Sequence, residues 1–162
     1  MHRAQRHAGF TLVELVTTII LIAILAVVVV PRLLTSSSYS AFTLRDEFIS
    51  ELRKVQIMAM NNQDRCYRLS VTDTNYQVSR YNGRFSGACT GTLVRTDAPQ
   101  AFQGGASLAL LNGGASTFNI EFNALGVPII NGARCSGNCI SVIADETLSL
   151  AIESEGYIHD GQ

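Results

Sequence analysis

The stretch GFTLVELVTTIILIAILAVVVVP, Gly9 to Pro31, decides how the rest of the chain is read. Phe10 to Val30 is a run of 21 residues without Gly, Pro or a basic side chain, close to the ~20 that a helix needs to cross a hydrocarbon core. The run implies a transmembrane helix over 10–30. Glu14 is its one charge, and a carboxylate in such a span is unfavourable by roughly 2.5 to 3.5 kcal/mol at the centre, less near an end. No cation lies between Gly9 and Pro31. A partner for Glu14 must therefore come from another chain, or from a new amino terminus made by a cut before Phe10.

The residues before the run, MHRAQRHA, form a short basic leader. Arg3 and Arg6 precede the span and only Arg32 closely follows it, a bias that favours a cytoplasmic amino terminus and places the following domain outside the cytoplasm. An ordinary secretory signal has a shorter apolar region and no carboxylate near its start. The leader, GFTLVEL and the apolar run ending at Pro31 resemble the class III signal of type IV prepilins and type II secretion pseudopilins. That resemblance implies a leader over 1–9, cut by a membrane aspartyl prepilin peptidase between Gly9 and Phe10, and N-methylation of Phe10. It also implies an assembly role for Phe10 and Glu14 and a helix kink at Pro31.

Over 162 residues the formal charge is −1; without the leader, 10 basic face 13 acidic residues, or −3. The basic residues are scattered and Lys54 is the only lysine, so no nucleic-acid partner is expected, since such a domain gathers Lys and Arg on one face. After Pro31, which cannot donate its amide to the helix, the run TSSSYS over 35–40 has weak helix propensity. Helical order then returns: Ala41, Leu44, Phe48, Leu52, Val55 and Ala59 step by three and four along one stripe. Arg45, Asp46, Glu51, Arg53 and Lys54 lie off it. The region 31–62 is read as the amphipathic second half of the helix, ending near MNNQD.

From Cys66 the period changes. CYRLSV (66–71) and YQVSRY (76–81) alternate apolar and polar residues around TDTN, a hairpin pattern. The Gly-, Ser- and Thr-rich stretch 82–105 reads as loop, with one short strand near 92–95. Further strands are expected over 108–111, 117–123, 127–130, 140–144, 148–153 and 157–159, separated by NGG, NALG and SGN turns. The predicted fold class is α+β: a long N-terminal helix packed on an antiparallel β-sheet, with a β-rich globular domain over 63–162. The pattern LRKVQIMAMNNQD, a hairpin, IEFNALGVP and a closing EGYI is also similar to the GspH/FimT-type minor pseudopilin domain, whose Phe-Asp/Asn-x-x-Gly pattern falls on Phe122, Asn123 and Gly126. The cysteines and layout are similar to minor pilins of mannose-sensitive haemagglutinin (MSHA) pili.

Cys66, Cys89, Cys135 and Cys139 all fall in the part assigned outside the cytoplasm, where an even number favours disulfides. Of three connectivities, Cys66–Cys89 would fasten the first hairpin to the loop after it, and Cys135–Cys139 would close a tight turn. A four-thiolate zinc site is the alternative; with C-x3-C present once and 22 residues lying between the other two cysteines, no metal or other cofactor is expected. An enzyme is not expected either. Histidine occurs only at 2, 7 and 159, so no Ser-His-Asp or Cys-His set forms. Asp145, Glu146, Glu153 and Glu155 could pair as carboxylates but read as solvated turn and strand-edge charges.

The function implied is a minor pilin or pseudopilin of a type IV pilus or type II secretion pseudopilus. It is held in the inner membrane with a periplasmic domain before assembly, and its partners are prepilin peptidase and other pilins or pseudopilins. A pilus-associated binding module, an adhesin or DNA-uptake receptor, is the alternative.

Overall fold

The computed structural model describes residues 10–34 and 37–161; side chains over 28–40 lie outside the described set. The leader 1–9, including Gly9, also lies outside it. The chain divides into two compact units, Met1–Ser36 and Ser37–Gln162. The first contains helix α1, Leu12–Leu34. Its helical backbone continues through Pro31, and the side chain of Pro31 lies outside the described residues, so the bend expected there stays a proposal.

The second unit opens with helix α2, Ser37–Asn61, and continues into ten strands. The first five are β1 Cys66–Val71, β2 Asn75–Phe85, β3 Ala88–Thr96, β4 Gln100–Ala101 and β5 Ser107–Leu110. The remainder are β6 Phe118–Phe122, β7 Pro128–Ile130, β8 Gly137–Ile143, β9 Thr147–Ile152 and β10 Ile158–Asp160. They form two antiparallel sheets where a single sheet was expected. One has the order β3-β2-β1-β6-β7 with β4 also on β2; the other has β10-β9-β8-β5. The expected helix-on-antiparallel-sheet class is present in this unit.

The helical stripe explains why both sheets share one core. Ala41, Leu44, Phe48, Leu52, Val55 and Ala59 are all buried, and they join Leu69, Val71, Phe118, Ile120 and Phe122 of the first sheet and Ile140, Val142, Leu150 and Ile152 of the second. Each such large side chain contributes roughly 1.5 to 3 kcal/mol on leaving water. Phe48 packs edge-on against Tyr76, ring centroids 5.3 Å apart. Asn62 closes the helix end by donating its side-chain amide to the Met58 carbonyl at 2.9 Å, as the MNNQD stop implied.

Polar atoms on α2 then fix its position over the sheets. Gln56 Nε2 donates to the carbonyl of Gly126 at 2.8 Å, in the β6–β7 turn, and to that of Gly156 at 2.6 Å, in the β9–β10 turn. Arg53 donates to the Ile158 carbonyl at 2.7 Å, and the Tyr76 hydroxyl donates to Glu47 at 2.6 Å. Burial first, and then that hydrogen bond, push the Tyr76 pKa well above the usual phenol value. Tyr76 is therefore a neutral donor that ties β2 to the helix.

The region 82–105 departs from its expected loop. β2 runs on to Phe85, the two-residue turn Ser86-Gly87 has positive φ at both positions (52° and 85°), and β3 returns over nine residues. This is the turn geometry that matches hairpin twist. The short strand expected near 92–95 lies within β3, but the strand's full length escapes pattern recognition because β3 has no core-facing side: seven of its nine residues are exposed and none is buried. Main-chain pairing holds it, and period-2 hydrophobicity has nothing to report there. The expected strands at 66–71 and beyond 107 are present with ends shifted by a few residues.

Both disulfides are formed, Cys66–Cys89 and Cys135–Cys139, and no cysteine is free among the described residues. The first joins β1 to β3 past the intervening β2; the second spans the segment that enters β8.

Candidate functional site

The start of α1 is built from local chemistry. Thr11 precedes the helix, and its Oγ1 accepts a hydrogen bond from the Glu14 amide at 3.2 Å while its carbonyl accepts from Leu15 at 3.1 Å. This is an N-cap with an acid at the third helical position, the arrangement Thr-x-x-Glu that opens many helices. The first-turn carboxylate also lies where the helix dipole favours negative charge. Glu14 thus has a local reason to occupy its position that the hydropathy argument passed over, although the four-residue signature was visible in the sequence.

Beyond the cap, the helix satisfies its own polar groups and leaves its apolar ones uncovered. Thr17 and Thr18 hydroxyls donate back to the Glu14 and Leu15 carbonyls at 3.0 and 2.8 Å. Phe10 is 83% exposed, and Leu12, Val13, Leu15, Ile19, Ile20, Leu21, Ile22, Ile24, Leu25 and Val27 are exposed as well. A continuous uncovered apolar surface of this kind marks a segment that is completed by an apolar environment. Among the described residues no cation pairs with Glu14, and no helix is long and apolar enough to cross a membrane. The described side chains of α1 end at Val27, short of the ~20 residues a span requires.

Residues 4–30 match the family described as the prokaryotic N-terminal methylation motif. The chain carries the signal of a type IV pilin-like precursor. The motif is the signature of type IV pilins and pseudopilins, and it implies membrane anchoring, processing by a prepilin peptidase and assembly with other pilins. No curated protein and no solved structure matches the chain.

In the globular unit the other singled-out residues fall apart spatially. Asp145 and Glu146 are exposed in the β8–β9 turn. Glu155 accepts from the Ser154 hydroxyl at 2.7 Å. Glu153 instead meets His159, whose Nε2 lies 3.1 Å from its Oε1 while Nδ1 lies 2.7 Å from the Asp160 carbonyl. The four carboxylates do not converge on one point, and among the described residues no three His, Cys, Asp or Glu side chains could hold a metal. Phe122, Asn123 and Gly126 do act together: Phe122 is buried, and Asn123 Oδ1 accepts from the Leu125 and Val127 amides at 2.9 Å each. That turn presents the Gly126 carbonyl to Gln56.

The His159 contacts suit an imidazolium, because both acceptors are then met by N–H donors. The Glu153 hydrogen bond first, and the Asp160 carbonyl second, hold its pKa above the ordinary histidine value. Glu153→Gln is expected to return it toward ~6.5, measurable by NMR titration. The sign follows from linkage: with the folded-state pKa raised, this contact stabilises fully below the unfolded value and the gain is lost as pH rises through the folded one.

Sequence reading missed an ion pair between half-buried Arg68 and buried Glu121 on the face of the first sheet turned away from α2. Arg68 Nε donates to Glu121 Oε1 at 2.6 Å, and Glu121 is only 6% exposed. Both residues sit at polar positions of alternating strands, opposite one another in register. Nothing in the spacing shows that another segment covers them.

Proposed function

We propose that this chain is a minor pilin or pseudopilin subunit whose Glu14 drives assembly. The leader and the span over 10–30 hold the precursor in the inner membrane, with the domain from 63 onward in the periplasm. Prepilin peptidase cuts between Gly9 and Phe10, and Phe10 receives the N-methyl group. The new α-amino group of one subunit then pairs with Glu14 of its neighbour as subunits leave the bilayer. The observation that carries this reading is the methylation motif over 4–30 set on a helix with an uncovered apolar surface and one unpaired carboxylate in its first turn.

The capping contact sharpens the test. Glu14→Gln keeps the main-chain amide that donates to Thr11 Oγ1 and a residue type suited to the third helical position, but removes the charge. Cleavage and membrane insertion are expected to proceed as in the wild type. Incorporation into filaments, scored by immunoblot of sheared pili or pseudopili, is expected to fall by about tenfold or more, the scale of one lost charge pair in a low-dielectric contact. Wild-type incorporation of Glu14→Gln would sink the pairing.

A further inference from the structure

From Asn82 to Val94 the chain forms an arm. Tyr81 is the last β2 residue paired with β1, opposite Cys66, and the β2–β3 ladder shifts register on both sides of Tyr81. No residue from 82 to 94 belongs to the hydrophobic core. Phe85, Leu93 and Val94 are exposed, Phe85 by 76%. The arm curls past the start of β1 until Gly87 lies directly against the Ile129 side chain of β7. It therefore closes over the sheet face that holds Arg68 and Glu121 while burying little apolar surface of its own.

What fastens the arm is a short set of contacts. Arg84 donates to the Ala59 carbonyl at 3.1 Å and to the Arg65 carbonyl at 2.8 Å. Arg68 Nη2 reaches the Cys89 carbonyl at 3.4 Å and Nη1 the Tyr81 hydroxyl at 3.3 Å. The single covalent tie is Cys66–Cys89. Hydrogen bonds that exchange with water contribute little net each, whereas a link closing a loop of this length restricts the open ensemble strongly. Opening would also return Glu121 to water, relieving the desolvation that a buried ion pair carries.

We propose that Cys66–Cys89 is a redox latch: in the dithiol state the arm 82–94 leaves the sheet and uncovers Arg68 and Glu121, while the two-sheet core stays folded. Closing transfers two electrons and two protons from the two thiols to a disulfide-bearing exchange partner, which becomes a dithiol as the Cys66–Cys89 bond forms. The latch follows from the arm's contacts alone; the periplasmic placement proposed above adds that the arm closes after export.

The test is hydrogen exchange with mass spectrometry on the full chain in detergent micelles, in a Cys135→Ser/Cys139→Ser background where only Cys66–Cys89 responds to dithiothreitol. On reduction, amides of 82–94 are expected to exchange about 100-fold faster, with β8 and β9 unchanged and protection restored on reoxidation. Unchanged arm protection overturns the proposal, and so does equal loss of protection in β8 and β9, which would make the bond a global staple. If the serine background itself unfolds, Cys66→Ser/Cys89→Ser with Cys135–Cys139 intact gives the same comparison, judged by the same two outcomes.

Discussion

Gly9→Val is expected to abolish maturation, leaving the precursor at full length. The proposed cut falls between Gly9 and Phe10, so the residue before the scissile bond has no side chain and full backbone freedom. Valine adds two methyl groups on a stiff β-branched carbon there. A displacement of about an ångström at a reacting bond lowers rate by on the order of 100-fold, and valine imposes that together with a narrower backbone range. Immunoblotting for the mature form, with mass spectrometry for a methylated Phe10 terminus, reads the result. A mature-sized product formed at the wild-type rate would move the cut site away from Gly9. This outcome is independent of Glu14: a Gly9 variant fails before assembly, whereas Glu14→Gln is cleaved and fails during it.

The two residues also differ in how they could be found. The importance of Glu14 shows in composition, because a lone carboxylate in an apolar run of 21 residues demands a reason. The Thr-x-x-Glu spacing around it is visible as well, and the fold adds the contact itself, the Glu14 main-chain amide donating to Thr11 Oγ1. The two roles are compatible. Capping stabilises the helix end by about 1 kcal/mol through an exposed, water-competitive contact, and leaves the charge unpaired among the described residues. The second role needs that free charge.

In the globular unit, legibility followed burial. α2 could be placed from its stripe because each stripe residue faces the core, and β1, β6 and β9 because alternation reports a half-buried sheet. β3 was legible only as a short strand near 92–95 for the converse reason: its partner is β2, most of its side chains face solvent, and the ordering forces are main-chain pairing and a disulfide. Arg68 and Glu121 were hidden, since their burial depends on a strand 20 or more residues away folding across them. The division into two sheets was also beyond pattern reading. Nothing in a strand's own residues records which neighbour it pairs with, and β5 joins β8 across two strands that belong to the other sheet.

Gly156→Ala is expected to destabilise the domain by about 3 kcal/mol or more, and a second glycine shows why. Gly156 and Gly113 have nearly the same backbone, φ +92° and +91°, so alanine carries the same left-handed strain, on the order of 1 to 2 kcal/mol, at both. They differ in what a Cβ would meet. At Gly113 nothing lies within 4 Å, whereas at Gly156 the new carbon runs into the carbonyl oxygen of Gly126 and comes within 2.6 Å of Gln56 Nε2. To make room, the β9–β10 turn must move off the β6–β7 turn, and the amide that serves both carbonyls loses at least one. A buried polar group left unpaired adds roughly 1 to 3 kcal/mol. Denaturant or thermal unfolding of the full chain in detergent should therefore separate the two variants, with Gly113→Ala showing backbone strain alone and Gly156→Ala losing roughly twice as much or more. Equal losses would mean that the two turns part without cost and that Gln56 does not clamp the sheets to α2.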